Sequence, residues 1–149
     1  MVVNVTTPSA VGIDRVPTKD GFKLFSAQYS IPNFNDASVT IDGTQLRDAL
    51  LAAGAKVGKV TEIEINIYAA ITGGTSTMVY KDGDGISHYI GGVVVVSAST
   101  YYVSDHFRVN LPMLLRAGAD DWSSMIALVN AGYGAGDDMI VTVRGEIYQ

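Results

Sequence analysis

From Val60 to Ile71 the chain alternates with almost no break. Ile63, Ile65, Ile67, Ala69 and Ile71 share one parity, and Glu62, Glu64, Asn66 and Tyr68 share the other. Successive side chains of a strand point to opposite faces, so a period of two predicts a strand with one dry and one wet side. Such a strand belongs to an antiparallel sheet, because parallel strands are covered on both faces and read as apolar throughout. The dry face then needs a second apolar layer to cover it.

The same parity test finds further strands. Phe22–Ile31 places Phe25, Ala27, Tyr29 and Ile31 against Ser26, Gln28 and Ser30, and Val39 and Ile41 alternate with Thr40 and Asp42. Met78–Tyr80 follows a turn at Thr72-Gly73-Gly74-Thr75 and precedes another at Asp82-Gly83-Asp84-Gly85. Ser87–Tyr102 is rich in β-formers, with a bend or bulge expected at Gly91-Gly92, and Tyr101 to Leu111 keeps the period. Met139, Val141, Val143 and Ile147 alternate with Thr142, Arg144, Glu146 and Tyr148 in a terminal strand with no polar tail, which is expected to leave an uncovered sheet edge. Trp122–Ala131 fits two patterns: Met125, Ala127, Val129 and Ala131 suit a strand, and Trp122, Met125, Ile126 and Val129 suit a helix. The glycine-rich loop and strand that follow favour the strand.

Helical spacing is clear once. Leu46, Ala49, Leu50 and Ala53 fall on one face, with Thr44 as expected N-cap and Gly54 as expected C-cap. A second helical turn is expected over Leu111–Ala117, capped by Asn110 and stopped by Gly118. Residues 1–21 read as an extended N-terminal arm, either frayed or laid on a neighbour, broken by Pro8, Gly12 and Pro17 and carrying an apolar patch at Val2, Val3 and Val5. The expectation is an all-β, antiparallel β-sandwich of about seven or eight strands with short inserted helices, over residues 22–149.

Composition narrows the function. A length of 149 residues suffices for a buried core without staples, and the chain has no cysteine, which removes thiolate catalysis and cysteine-based zinc or iron–sulfur sites. Net charge is −5 and the basic residues are scattered, so direct binding to nucleic acid is not expected. The longest apolar run, Ile90–Val96, contains two glycines and is too short to span a bilayer. MVVNVTTPSA lacks the basic and apolar regions of a secretory leader, which predicts synthesis in a cytoplasm. Charged residues make up 17%, below the roughly 25% usual in soluble domains, as expected either if partners cover part of the surface or if the surface is simply polar, rich in Ser, Thr, Asn and Gly.

No motif reads as a catalytic, cofactor or metal site. Asp82-Gly83-Asp84-Gly85 begins like a calcium loop, but Ser87 and Val93 stand where an EF-hand needs Gly and Glu, so it reads as a β-turn. Gly132-Tyr133-Gly134-Ala135-Gly136 opens onto Asp137-Asp138 and a strand, where a phosphate loop would open a helix. Ser104-Asp105-His106 has the residue types of a hydrolytic triad, yet neighbours on a strand point apart. Asp120-Asp121 and Asp137-Asp138 read as exposed loop acids, although calcium takes such ligands. Trp122 with Tyr101, Tyr102 and Tyr133 suits either a sugar-stacking platform or core and interface packing.

The order of elements carries a resemblance. A strand at Val39 and Ile41 leads into the Thr44–Gly54 helix, the long Val60–Ile71 strand follows, and a last strand ends at the C-terminus. Across residues 22–149 this layout resembles the single jelly-roll subunits of small icosahedral viruses and phage capsid-associated proteins. The resemblance implies a jelly-roll-like sandwich and a capsid or capsid-decoration subunit located in the virion. Its partners would be itself, as a homo-oligomer, and other virion proteins, with contacts through the N-terminal arm. Val2, Val3, Val5, Tyr101 and Tyr133 are the expected interface residues. RNA-virus coat proteins of similar layout often carry a basic arm, whereas here Arg15, Lys19 and Lys23 are nearly balanced by Asp14 and Asp20. An outer decoration role therefore suits the sequence at least as well as genome packaging. The alternative expectation is a lectin-like, carbohydrate-binding sandwich, since fold alone does not fix function.

Overall fold

In a computed structural model of the chain the alternating segments form strands where parity places them. The structure describes residues 2–71, 73–82, 84–95, 100–118, 122 and 124–149, with 69–71, 100 and 101 described by their backbone alone. Ten strands and one helix are found among them: β1 (Val2–Val5), β2 (Ala10–Ile13), β3 (Lys23–Ile31), β4 (Ser38–Ile41), α1 (Thr44–Ala52), β5 (Val57–Ile71), β6 (Gly74–Lys81), β7 (Ser87–Val95), β8 (Thr100–Pro112), β9 (Ile126–Ala131) and β10 (Asp138–Tyr148).

The strands make two five-stranded sheets, ordered β1-β4-β9-β6-β7 and β2-β3-β10-β5-β8. Every strand pairing found is antiparallel except β1 with β4. The dry faces meet in one core, where Ala27, Tyr29, Ile63, Ile65, Ile67, Val141 and Val143 are all fully buried. The architecture is an all-β, jelly-roll-like antiparallel sandwich, as the alternation predicts.

Five expectations are corrected. The 1–21 segment does not stand off the sandwich: its backbone supplies β1 to one sheet and β2 to the other, which raises the strand count to ten. The C-terminal strand is not an open edge, because β10 lies between β3 and β5 and pairs with both. Leu111–Ala117 holds no helical turn: β8 runs to Pro112, the Met113 N–H still donates to the Gly58 carbonyl of β5 at 3.2 Å, and Met113 and Leu114 are buried in the loop beyond. Trp122–Ala131 does contain a strand, but with the other parity inward. Ile126, Leu128 and Asn130 are buried and Val129 is exposed.

The fifth correction is the helix cap. Gly43 holds the N-cap position, and a Cβ there would stand 2.7 Å from the Trp122 ring, so no larger residue fits. The Asp42 carboxylate accepts the Thr44 N–H at 2.7 Å in place of a Thr44 cap. At the far end Gly54 has φ +88°, as its expected capping role requires. The bulge expected at Gly91-Gly92 is present: the β6–β7 register shifts between Met78 and Val79, opposite Gly91.

Candidate functional site: the N-terminal strands and a polar cluster

β1 is four residues long and pairs in parallel with β4, Val3 opposite Val39 and Val5 opposite Ile41. Val3 and Val5 turn inward and pack against the core, while Val2 is 57% exposed. The chain then crosses from the edge of one sheet to the edge of the other. Ser9 donates its backbone N–H to the Gln28 carbonyl at 2.7 Å, β2 pairs with β3, and Asp14 donates to the Leu24 carbonyl at 2.9 Å. Backbone pairing at two sheet edges, with the half-buried Val3, Val5 and Ile13 packed on the core, holds the first segment. Of the other expected interface residues, Tyr133 is buried beside Ser76 and Phe34 and belongs to the core. The Tyr101 side chain lies outside the described residues.

The aromatic platform is not assembled. Trp122 is 1% exposed, with its indole N–H donated to the Lys81 carbonyl at 3.0 Å, and Tyr133 is likewise inside, whereas Tyr102 is on the surface. Ser104 and His106 lie on the outer side of β8, and the Asp105 carboxylate accepts its neighbour's backbone N–H.

What His106 does meet is a chain of polar groups across three strands that sequence order does not show. The Tyr102 hydroxyl donates to Asn66 at 2.6 Å, and the Asn66 amide donates to Glu64 at 2.8 Å. Arg144 Nη1 bridges Glu64 at 2.6 Å and Glu62 at 3.0 Å. His106 Nδ1 lies 2.9 Å from the same Glu62 oxygen. The hydrogen bond to Glu62 holds the His106 pKa above its ordinary value. Burial pushes the Glu64 carboxyl up, but the Asn66 and Arg144 hydrogen bonds and the Arg144 charge outweigh it and leave the group lowered. Glu62, Glu64 and His106 are close enough to share a cation. The Arg144 guanidinium already bonds both carboxylates, so the cluster is an ion-pair network with its positive charge built in. Beside it, a groove of about 460 Å3 runs across β2, β3, β10 and β5, lined by Ile13, Asp14, Leu24, Glu62 and Arg144 among others.

The acidic turns are more ordered than exposed loop acids would be. Asp82 is 5% exposed: one carboxylate oxygen accepts the N–H groups of Asp84 and Ile86, each at 2.9 Å, and the other lies 2.6 Å from His88 Nε2. The His88 hydrogen bond leads the causes that lower its pKa. Asp137 is buried, which corrects its expected exposure, and burial pushes its carboxyl up. The Asp138 carboxylate accepts the Asn33 N–H at 2.8 Å. Asp120 and Asp121 lie outside the described residues. Among the described residues no helix is long and apolar enough to cross a membrane.

No family model matches the chain, and no curated protein is similar to it. Among solved structures it is similar in fold to the coat protein of Tobacco streak virus, with TM-score 0.50, 17% identity and 90% of each chain covered. The extra small virus of the prawn Macrobrachium rosenbergii, imaged as a virus-like particle, matches at TM-score 0.41 and 10% identity over 91% of this chain and 86% of that one. A C-terminal carbohydrate-binding module of a laminarinase from Zobellia galactanivorans matches at TM-score 0.31 and 12% identity over 92% of both. At these identities the first likeness establishes a shared sandwich fold and leaves function open, and the other two carry no weight.

Proposed function

We propose that the chain is a structural subunit of a virus or phage particle, a capsid or capsid-decoration protein that assembles with copies of itself and with other virion proteins. The observation that carries this reading is β1. A four-residue strand in parallel pairing at a sheet edge is an element that a neighbouring copy can supply when β2 travels with it, since the link over residues 6–9 reaches about 14 Å at most. The same backbone hydrogen bonds would form, and Val3 and Val5 would fill the same places beside β4. Exchange of an identical element between copies needs no new surface. The fold shared with a viral coat protein along nearly its whole length supports the same reading.

A carbohydrate-binding role is the second reading, and the groove beside Arg144 and Glu62 favours it. Burial of Trp122 and Tyr133 removes two of the four aromatics that a stacking platform would use.

Deleting residues 1–8 removes β1 and leaves β2 to cover β3. The expected result is a folded protein whose assembly is weakened at least tenfold in concentration. Unchanged assembly after the deletion would contradict a role for β1. Tight binding of a glycan by a protein that stays monomeric would favour the second reading.

A further inference from the structure

The two outer faces of the sandwich differ in charge. Across the five strands β1, β4, β9, β6 and β7, Lys81 at the end of β6 is the sole formally charged residue. The outward positions of this sheet carry valine, alanine, threonine, serine, asparagine and tyrosine. In register, Val129 lies opposite Thr77, Ala127 opposite Val79, and Val79 opposite Tyr89. Val129 is 59% exposed and Tyr89 72% exposed. The strands of the other sheet carry Lys59, Glu62, Glu64, Arg108, Arg144 and Glu146 on their outer side, most of them joined in ion pairs.

We propose that the uncharged face is where a second copy of the chain docks, sheet against sheet. The inference rests on the self-assembly reading above and says which surface that assembly uses. Docking through the other face would strip water from charges already paired within the chain, a desolvation cost that a copy of the same face does not repay. A neutral face lets two identical surfaces approach without that cost and removes exposed valines from water. A face that meets its own copy is self-complementary about a two-fold axis, and antiparallel sheets stack readily at about 10 Å. Exposed apolar patches of a few hundred Å2 commonly mark interaction sites, and this face exposes Val2, Tyr89, Val94 and Val129.

Area decides what kind of contact it is. Five strands about 4.8 Å apart and some six residues long give roughly 480 Å2 per copy, against about 800 Å2 per partner in a stable isolated pair. The face is therefore one contact among several, as a shell requires, and β1 at its edge makes it continuous with the exchanged strand.

The test uses the full-length chain. Val129→Lys and Thr77→Lys place charge in the face, and Ser104→Lys places it on the exposed outer side of β8. Folding is checked by circular dichroism and thermal melting, and assembly by light scattering against concentration. Both face variants are expected to need at least tenfold more protein to assemble, with Ser104→Lys within about twofold of the parent. Face variants that assemble like the parent overturn the docking surface and leave the self-assembly reading standing. A parent chain that does not associate at any concentration overturns both. Because the chain has no cysteine, Val129→Cys gives a second measure that does not depend on charge. Its maleimide labelling should slow as assembly proceeds while Ser104→Cys labels at a constant rate, and equal labelling of the two would overturn the proposal.

Discussion

Val3 lies opposite Val39 in parallel register, so the first strand of the chain completes the edge of a sheet whose other members come from residues 38 onward. From that edge Val3 and Val5 pack on the core, and self-assembly as proposed turns on this strand.

Ile65 is fully buried between the two sheets, register partner of both Val141 and Asp105. Ile65→Ala should cost about 2–5 kcal/mol in chemical denaturation, from lost burial plus the cavity left behind. A change below roughly 0.5 kcal/mol is what surface positions show, and would place Ile65 outside the core.

Gly145 sits at the irregularity where the β10–β5 register shifts. A Cβ there would stand 2.1 Å from the Lys59 carbonyl oxygen and 2.6 Å from the Phe25 ring. Backbone cannot yield as a flexible side chain would, so Gly145→Ala should destabilise by about 1–3 kcal/mol or more. A melting temperature equal to the parent's would contradict this close approach.

Asn130 is buried on β9 and ties two elements: Ser76 donates to its carbonyl at 2.7 Å, and its amide donates to the Ala37 carbonyl at 2.9 Å. Asn130→Leu leaves the Ala37 carbonyl without its donor and removes an acceptor of Ser76. The expected cost is about 1–3 kcal/mol for an orphaned group, despite the gain in hydrophobicity. Equal or greater stability of the leucine variant would show that the pair of bonds is not needed.

Two histidine–carboxylate pairs contribute to the pH response. The folded-state pKa of His106 is raised, so its contribution is complete below the ordinary value of 6.5 and is lost as pH rises through the folded pKa. The folded-state pKa of Asp82 is lowered, so its contribution is present above the ordinary value of 3.8 and is lost as pH falls through the folded pKa. NMR titration should place His106 above 6.5, and Glu62→Gln should bring it down. An unchanged His106 titration in that variant would break the assignment of Glu62 as its partner.

Much of the fold was legible because parity is local. The burial of Ile63, Ile65, Ile67, Val141 and Val143 follows from alternation alone. In β9 the parity test chose wrongly because the true inner face carries Asn130, a polar residue whose bonds to Ser76 and Ala37 are invisible in one dimension. The apolar run Met113-Leu114-Leu115 imitates a helix, although its first two side chains are buried from a loop. The position of β10 between β3 and β5, and the Glu62–Arg144–His106 cluster that depends on it, require cross-strand register over some eighty residues of sequence. Glu62 and Glu64 were readable as a wet face, but their partners were not.

The central claim is that this chain is built to assemble, and the size of the purified full-length protein tests it most directly. Light scattering over rising concentration, with electron microscopy of the same samples, should show a closed oligomer or shell of uniform size. A single monomeric species at every concentration, unchanged by deletion of residues 1–8, would contradict the account.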